Sequence, residues 1–449
     1  MTRTMKDSGV EWIGQIPEKW KVGKLKYFID IYGRIGFRGY TQNDLVGEGE
    51  GAITLSPSNF NDMKMNYSKC SYLSWPKYYE SPEIQIQNND ILFVKTGSTY
   101  GKSVLVKDLP MEATINPQLI VLKNVKINLN FCAYMFQTSI IKHQVEISVV
   151  GGTIPTISQS KIENYYLILP PLPEQQAIAD YLDDKCAQID NITATINEQI
   201  EVLKQYKKSV ITEAVTKGLD PNAPMKDSGV EWIGQIPEHW NIEKFKYDFT
   251  FSKGLQITKA DLTEEGCPVI SYGQIHSKIN NSVSVNFKLI RFVDDSYQED
   301  KNAITQYGDI IWADTSEDYD GIGNSIFVDS NKNIFAGYHT IITRPLFDKL
   351  TKYFAYLFQT DIWRLQLRKQ ATGIKVFSIT QKMLKNSSIL IPPLSEQQAI
   401  ADYLDDKCAQ IDAVVADKQA QLETLAAYKK SLIYEYVTGK KSVPGFEEA

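Results

Sequence analysis

The chain contains itself twice, and that limits its fold more than any other feature. Pro170–Asp190 (PPLPEQQAIADYLDDKCAQID) returns at Pro392–Asp412 with one change in 21 positions, Pro173 becoming Ser395. Met5–Trp20 (MKDSGVEWIGQIPEKW) returns at Met225–Trp240, where only Lys19 has changed, to His239. Two motifs recurring at about 220 residues describe two tandem domains rather than a solenoid of small modules. Each unit runs in the order opening motif, globular body, long helix. The chain divides into a first body at 1–169 (opening motif 5–20) and a first spacer helix at 170–218. Linker and second body follow at 219–391 (opening motif 225–240), then a second spacer helix at 392–438 and a tail at 439–449.

The bodies read as mixed α/β. Short apolar runs flanked by turn residues predict strands at Gly51–Leu55, Asp90–Lys95, Ser103–Val106 and Leu119–Leu122, with a helix over Phe131–Ile141. The second body repeats the order. Asp90-Ile-Leu-Phe93 corresponds to Asp309-Ile-Ile-Trp312, and Ala133–Thr138 (AYMFQT) to Ala355–Thr360 (AYLFQT). Most loops differ completely. Thr96–Ser103 (TGSTYGKS) resembles a phosphate loop, but residue 96 is Thr where the motif requires Gly, and a strand follows where a helix N-terminus is needed. A hairpin tip is expected there. The tryptophans of the opening motif are expected to pack as a structural strap.

From Pro173 the period changes to seven. Leu182, Ile189, Ile196, Leu203 and Val210 form one seam row, with Ile178, Ile192 and Tyr206 expected in the other. Leu404, Ile411, Leu425 and Leu432 repeat the row, with Ile400, Val414 and Tyr428 beside it and Lys418 interrupting. A helix of about 45 residues spans roughly 65–70 Å, and its natural partner is its own copy. Pro173 suits a first helical turn and Ser395 an N-cap. Gly218 and the linker Asp220–Pro224 end the first helix.

Composition narrows the class only modestly. Of 449 residues, 43% are hydrophobic and 23% charged, which fits globular domains. No run of 18 apolar residues suggests a membrane span, and the first residues lack the apolar core of a signal peptide. Five cysteines without C-x-x-C spacing fit reduced thiols in a cytoplasm and make a zinc site unexpected. The net charge of −6 gives no basic footprint. The first body (21–150) has 14 Lys and Arg against 11 Asp and Glu; the second (241–372) has 15 against 17.

Function is more legible in what the copies share. Heptad packing explains the seam, yet polar residues of the helix starts are repeated as well: Glu174, Gln175, Gln176, Asp180, Asp183, Asp184, Lys185 and Gln188. Two identical surfaces imply two copies of one partner. Glu174, Gln175, Asp183 and Asp184, with Glu396, Gln397, Asp405 and Asp406, are the expected partner contacts. Bodies that keep their strands and change their loops imply two different targets.

This order of motifs, Ser8–Trp20 and Ser228–Trp240 with Pro-Pro-Leu-x-Glu-Gln-Gln at Pro170–Gln176 and Pro392–Gln398, resembles the specificity subunit of type I DNA restriction–modification systems. The resemblance covers the whole chain; the Lys418 interruption and the acidic second body are the only departures. It implies an α+β fold of two target-recognition domains whose spacer helices form an antiparallel coiled coil. It also implies double-stranded DNA as target, with each body reading half of a split asymmetric site. Two methyltransferase subunits would dock on the chain, and restriction subunits would join through the complex. The chain itself would hold no cofactor, with S-adenosylmethionine, ATP and Mg²⁺ on the partner subunits, and it would be non-catalytic.

The alternatives are a self-sufficient DNA methyltransferase or nuclease, and a protein-binding repeat scaffold. Pro-Pro occurs only as Leu169-Pro-Pro-Leu172 and Ile391-Pro-Pro-Leu394, without the Asn or Asp that an amino-methyltransferase motif requires. Among loop residues, those able to read base edges or hold phosphates are the candidate DNA contacts. They are Arg34, Arg38, Tyr40, Gln42, Asn59, Thr99, Tyr100 and Lys102 in the first body. In the second they are Lys253, Gln256, Tyr272, Gln274, His276, Thr315, Tyr319 and Asn324.

Overall fold

A computed structural model describes residues 3–150, 155–280, 282–346, 351–373 and 375–446. Two compact units emerge, one of residues 1–196 with 420–449 and the other of residues 197–419. They cut across the division read from the chain order, because each takes the start of one long helix and the end of the other.

In the first unit an all-antiparallel sheet has the order Ser103–Leu105, Ile91–Val94, Leu119–Lys123, Asp30–Gly33. A second sheet is built around Gly51–Leu55, antiparallel to Ser71–Ser74 and parallel to Ala113–Ile115. Ile91–Val94 is buried on both faces, which explains its unbroken apolar run. One core lies between the first sheet and the helices; another lies between the two sheets. The second unit repeats the frame: Phe249–Lys253, Thr340–Pro345, Ile310–Ala313 and Ser325–Phe327 in one sheet, and Cys267–Ile270 parallel to Phe335–Ala336 in the other.

The expected helix over Phe131–Ile141 is instead two, Leu129–Met135 and Ser139–Ser148. Thr138 breaks it: its backbone is extended and its hydroxyl donates to the Met135 carbonyl at 2.7 Å. Thr360 does the same in the second unit. The Thr96–Lys102 segment is a hairpin tip, with Gly97 and Gly101 at φ of 105° and 84°.

The opening motifs are straps. Met5–Asp7 pairs with Gln15–Pro17, and Trp20 is fully buried with its indole Nε1–H donating to Glu174 at 2.8 Å. Trp240 donates to Glu396 at 2.9 Å in the same way. Each body closes by one more strand pair, Lys21–Lys24 with Tyr166–Leu169 and Asn241–Lys244 with Ser388–Ile391, directly ahead of its long helix.

Those helices are Leu172–Lys217 and Leu394–Val437. Ser395 therefore falls inside the first turn rather than capping it. Gly218 and Gly439, at φ of 75° and 73°, end the helices in the left-handed conformation that glycine adopts without cost. Within each unit the two helices run antiparallel as a coiled coil, shown by Tyr181 against Tyr436 in the first and Lys207 against Asp412 in the second.

The second row of the seam differs from expectation. Ile192 and Tyr206 are exposed, as are Val414 and Tyr428. The row that turns inward is Cys186, Ile200 and Ala214, matched by Cys408, Leu422 and Tyr436. Lys429 and Lys207 stand in this row, paired with Asp190 at 2.6 Å and Asp412 at 2.7 Å. Lys418, the expected interruption, donates to Gln199 at 2.6 Å.

Candidate nucleic-acid interface

At one corner of each first-named sheet, three chain segments meet in the same way. In the first unit Lys95 N–H donates to the Gln118 carbonyl (2.9 Å), and Ile157 N–H donates to the Lys95 carbonyl (2.9 Å). In the second, Asp314 N–H donates to the His339 carbonyl (3.0 Å), and Ile379 N–H donates to that of Asp314 (2.8 Å). The strand registers agree, since Val94 faces Leu119 and Ala313 faces Thr340. The backbone is shared, and the loops around it carry the candidate DNA contacts.

Arg34 sits next to this corner but is buried. Its Nε and Nη2 donate to the Ile115 carbonyl (3.1 and 3.0 Å), Nη2 also to Thr114 Oγ1 (3.0 Å), and its guanidinium lies over Tyr40 at 5.1 Å. Burial lowers its pKa, opposed by Tyr40 and Glu83. Arg34 is thus a brace between sheets rather than the free base reader expected. Asn59 is a second correction: buried, it accepts from Ser56 N–H (2.9 Å) and donates to the Asn66 and Lys69 carbonyls, closing a capping box. Arg38 is half-buried and pairs with Glu83 at 3.4 Å. Gln42 and Lys102 are exposed, Thr99 half-buried, and Tyr100 packs against the core.

The second unit draws several candidates into one chain of bonds. Arg364 is buried and donates to Asn324 Oδ1 (2.6 Å), Gln359 Oε1 (2.7 Å) and the Phe358 carbonyl (2.8 Å). Burial, aided by Arg368, lowers its pKa to about 10. Asn324 Nδ2 donates to His276 Nδ1 (2.9 Å), and His276 Nε2 donates to the Thr315 carbonyl (2.8 Å). Both ring nitrogens of His276 are therefore engaged within the fold. Thr315 Oγ1 donates to Asp314 (2.8 Å), which also meets His339 Nδ1 (3.2 Å). Tyr272 packs edge-on to His276, Tyr338 and His339. Gln274 is half-buried and caps its own helix, its Oε1 accepting from the Ser271 N–H. Lys253, Gln256 and Tyr319 are exposed, Tyr319 meeting Phe377 edge-on with the Arg368 guanidinium over its ring.

The expected partner contacts also separate by burial. Glu174 holds Trp20 and Arg3; Gln175 donates to the Pro170 carbonyl (2.8 Å) and accepts from Asn128 N–H (2.8 Å); Gln397 donates to the Pro392 carbonyl (2.8 Å). These three are buried pegs of the body–helix joint, not open surface. Glu396 is half-buried between Trp240 and His239. Asp183 accepts from Tyr134 and Asn130, and Asp405 from Tyr356 and Lys352, at 2.6–2.8 Å. Asp184 and Asp406 are exposed. Their neighbours complete a stripe that the list of partner contacts left out. Gln176 donates to Asp180 and Gln188 to Asp184; Gln398 donates to Asp402 and Gln410 to Asp406, all at 2.7–2.8 Å. Lys95, Gln118, Asp314 and His339 were missed too. Their signal was a charge reversal directly after a strand that both copies preserve.

Among the described residues no three His, Cys, Asp or Glu side chains are grouped to hold a metal ion, and no helix is long and apolar enough to cross a membrane. One sheet corner built twice on a common backbone with different polar groups defines a tandem recognition-domain protein. Residues 17–202 and 237–424 each match the type I restriction modification DNA specificity domain, and the chain belongs to that family. It is similar to the type I restriction enzyme MjaVIII specificity subunit of Methanocaldococcus jannaschii, 29% identical over 367 residues and 80% of each chain. The putative MjaX specificity subunit of the same organism is 27% identical over 449 residues and 95% of each chain. A solved structure, from work on complex assembly and conformational transition of the type I R-M system, shares the fold. Its TM-score is 0.69 over 95% of this chain and 99% of that one, at 16% identity. As a specificity subunit, the chain is a non-catalytic recognition component.

Proposed function

We propose that each body reads one half of a bipartite, asymmetric site in double-stranded DNA, and that two methyltransferase subunits dock on the repeated helix starts. Restriction subunits join through that complex. S-adenosylmethionine, ATP and Mg²⁺ belong to the partners, and the assembly works in the cytoplasm. What carries this is a contrast within one chain. The exposed stripe Gln176–Asp180–Asp184–Gln188 is repeated unchanged at Gln398–Asp402–Asp406–Gln410, whereas the polar residues at the sheet corners are not. Packing accounts for the identity of Glu174, Gln175 and Asp183, which face inward or hold the body. It does not account for the stripe, which faces water. Equal surfaces suit equal partners, and unequal corners suit unequal half-sites.

The test is to incubate the chain with its methyltransferase subunits, S-adenosylmethionine and a random-sequence DNA library, then sequence the methylated products. A split, non-palindromic motif with a fixed gap is expected, with no transfer by the chain alone. Methylation without a motif, a contiguous motif, or transfer by the isolated chain would overturn the proposal.

A further inference from the structure

Lys95 is a half-buried cation for which no hydrogen-bond or ion-pair partner occurs among the described residues. Its Nζ lies 3.6 Å from where a Cβ on Gly33 would stand, so the side chain reaches across the sheet over a position that has none of its own. Burial alone lowers its pKa. An ammonium that has lost water without gaining an acceptor is unfavourable, and an arriving acceptor relieves it. Beside it, in the turn that leads into the neighbouring strand, the exposed Gln118 has its amide oxygen engaged by Asn116 Nδ2 at 3.0 Å. Its Nε2 has no acceptor among the described residues and lies 3.1 Å from the Cβ position of Gly97. One corner therefore presents two donors that have no hydrogen-bond partner among the described residues, with the Gln159 amide oxygen near the lysine, 3.5 Å from the same Gly33 Cβ position.

The same backbone address in the second unit is chemically inverted. Asp314 replaces Lys95, His339 replaces Gln118, and the carboxylate is satisfied by Thr315 and the imidazole. Lys253 stands at the strand position of Gly33, since Gly33 faces Ile120 and Lys253 faces Ile341. An address whose backbone hydrogen bonds are kept while its charge changes sign behaves as a specificity position and not as part of the frame.

Resting on the half-site reading above, we infer that Lys95 and Gln118 are base-reading residues of the first unit and that they select a guanine through its major-groove edge. Guanine is the base that offers two acceptors there, O6 and N7. The corresponding base of the second half-site is read by the Asp314–His339 pair and is chosen independently. A lysine contacting phosphate would add affinity without sequence preference, and the experiment separates the two roles.

Lys95→Met and Gln118→Ala are each assembled with wild-type methyltransferase subunits and assayed on the random library at several salt concentrations, with melting curves to check folding. Each variant is expected to relax one base pair of the first half-site by about tenfold, leaving its other bases, the gap and the second half-site unchanged. Gln118 is exposed, so its variant remains informative even if Lys95→Met folds poorly. Uniform weakening at all sequences with a shallower salt dependence would make Lys95 a phosphate contact and overturn the assignment. So would an unchanged motif in both variants. A wild-type complex that yields no split motif removes the half-site proposal itself, and this assignment with it.

Discussion

Glu174 and Glu396 occupy one position of the repeat and make the same bond to a buried tryptophan, yet their surroundings differ enough to predict unequal costs. The Glu174 side chain is 6% exposed and holds both the Trp20 indole and the Arg3 guanidinium; the Glu396 side chain is 38% exposed, between Trp240 and His239. Glu174→Ala leaves a buried indole N–H without its acceptor and removes one carboxylate contact from Arg3. An unsatisfied buried donor costs about 1–3 kcal/mol, more where a charge is involved, so about 2–3 kcal/mol is expected. Water can replace the carboxylate at Glu396, and Glu396→Ala should cost about 1 kcal/mol or less. For a unit of this size each kcal/mol moves the melting point by about 2–4 °C. Calorimetry should therefore show the first unit's transition falling by about 4–12 °C in Glu174→Ala, with a much smaller change for Glu396→Ala. Glu174→Gln keeps an acceptor and should recover most of the loss. Methyltransferase stoichiometry, followed by light scattering, should remain two in every folded variant. Equal thermal effects, or lost partner binding at unchanged stability, would refute the account and return Glu174 to the partner interface that its repetition first suggested.

The seam ion pair is a pH-dependent element. Burial pushes the Asp190 carboxyl up, but Lys429 and Lys64 outweigh it and hold the pKa below the ordinary aspartate value. Because the native value is the lower, the pair's stability is complete above the unfolded aspartate pKa. It is lost as pH falls through the depressed native one. In Lys429→Met that acid-side slope should shrink in urea titrations across this window; an unchanged slope counts against the pair. Charge reversal of Asp180 with Asp184 should reduce bound methyltransferase from two copies toward one, and reversal of Asp402 with Asp406 should do the same at the other site. Circular dichroism should be unaltered, and retention of two copies would place the docking surface elsewhere.

How much of this was legible depended on whether a residue's role is local or directional. Strand cores such as Ile91–Val94 and Leu119–Leu122 announced themselves, because burial on both faces requires an unbroken apolar run. The seam was half legible. The row Leu182, Ile189, Ile196 has apolar neighbours on both flanks, Ile178 and Ile192 on one, Cys186 and Ile200 on the other. Heptad spacing alone cannot say which flank turns inward. The outcome is Cys186 and Ile200, while Ile178 serves the body's own core. Polar residues were least legible, since residue type does not record direction. Arg34, Asn59, Glu174 and Gln175 look like surface groups, and each completes hydrogen bonds inside the fold that the backbone and Trp20 would otherwise lack.

That inward use of polar groups clarifies what the duplication has preserved. Asp90 and Asp309 each accept from a backbone N–H three residues earlier and pair with a cation on the next strand, Lys123 in one unit and Arg344 in the other. Gln137 and Gln359 each donate to the carbonyl of Ser103 and Ser325. Tyr134 and Tyr356 each donate to the helix aspartates Asp183 and Asp405. These repeated bonds fix strands to helix at corresponding points, so both units must present the sheet corner in the same relation to their own helix. With the frame held so tightly, a change at the corner alters chemistry without moving the backbone. Lys95 can then become Asp314, and Gln118 can become His339, while the carbonyls and amides around them keep the same partners. Specificity in such a chain can diverge at single addresses because stability is carried elsewhere, in bonds that both copies still make.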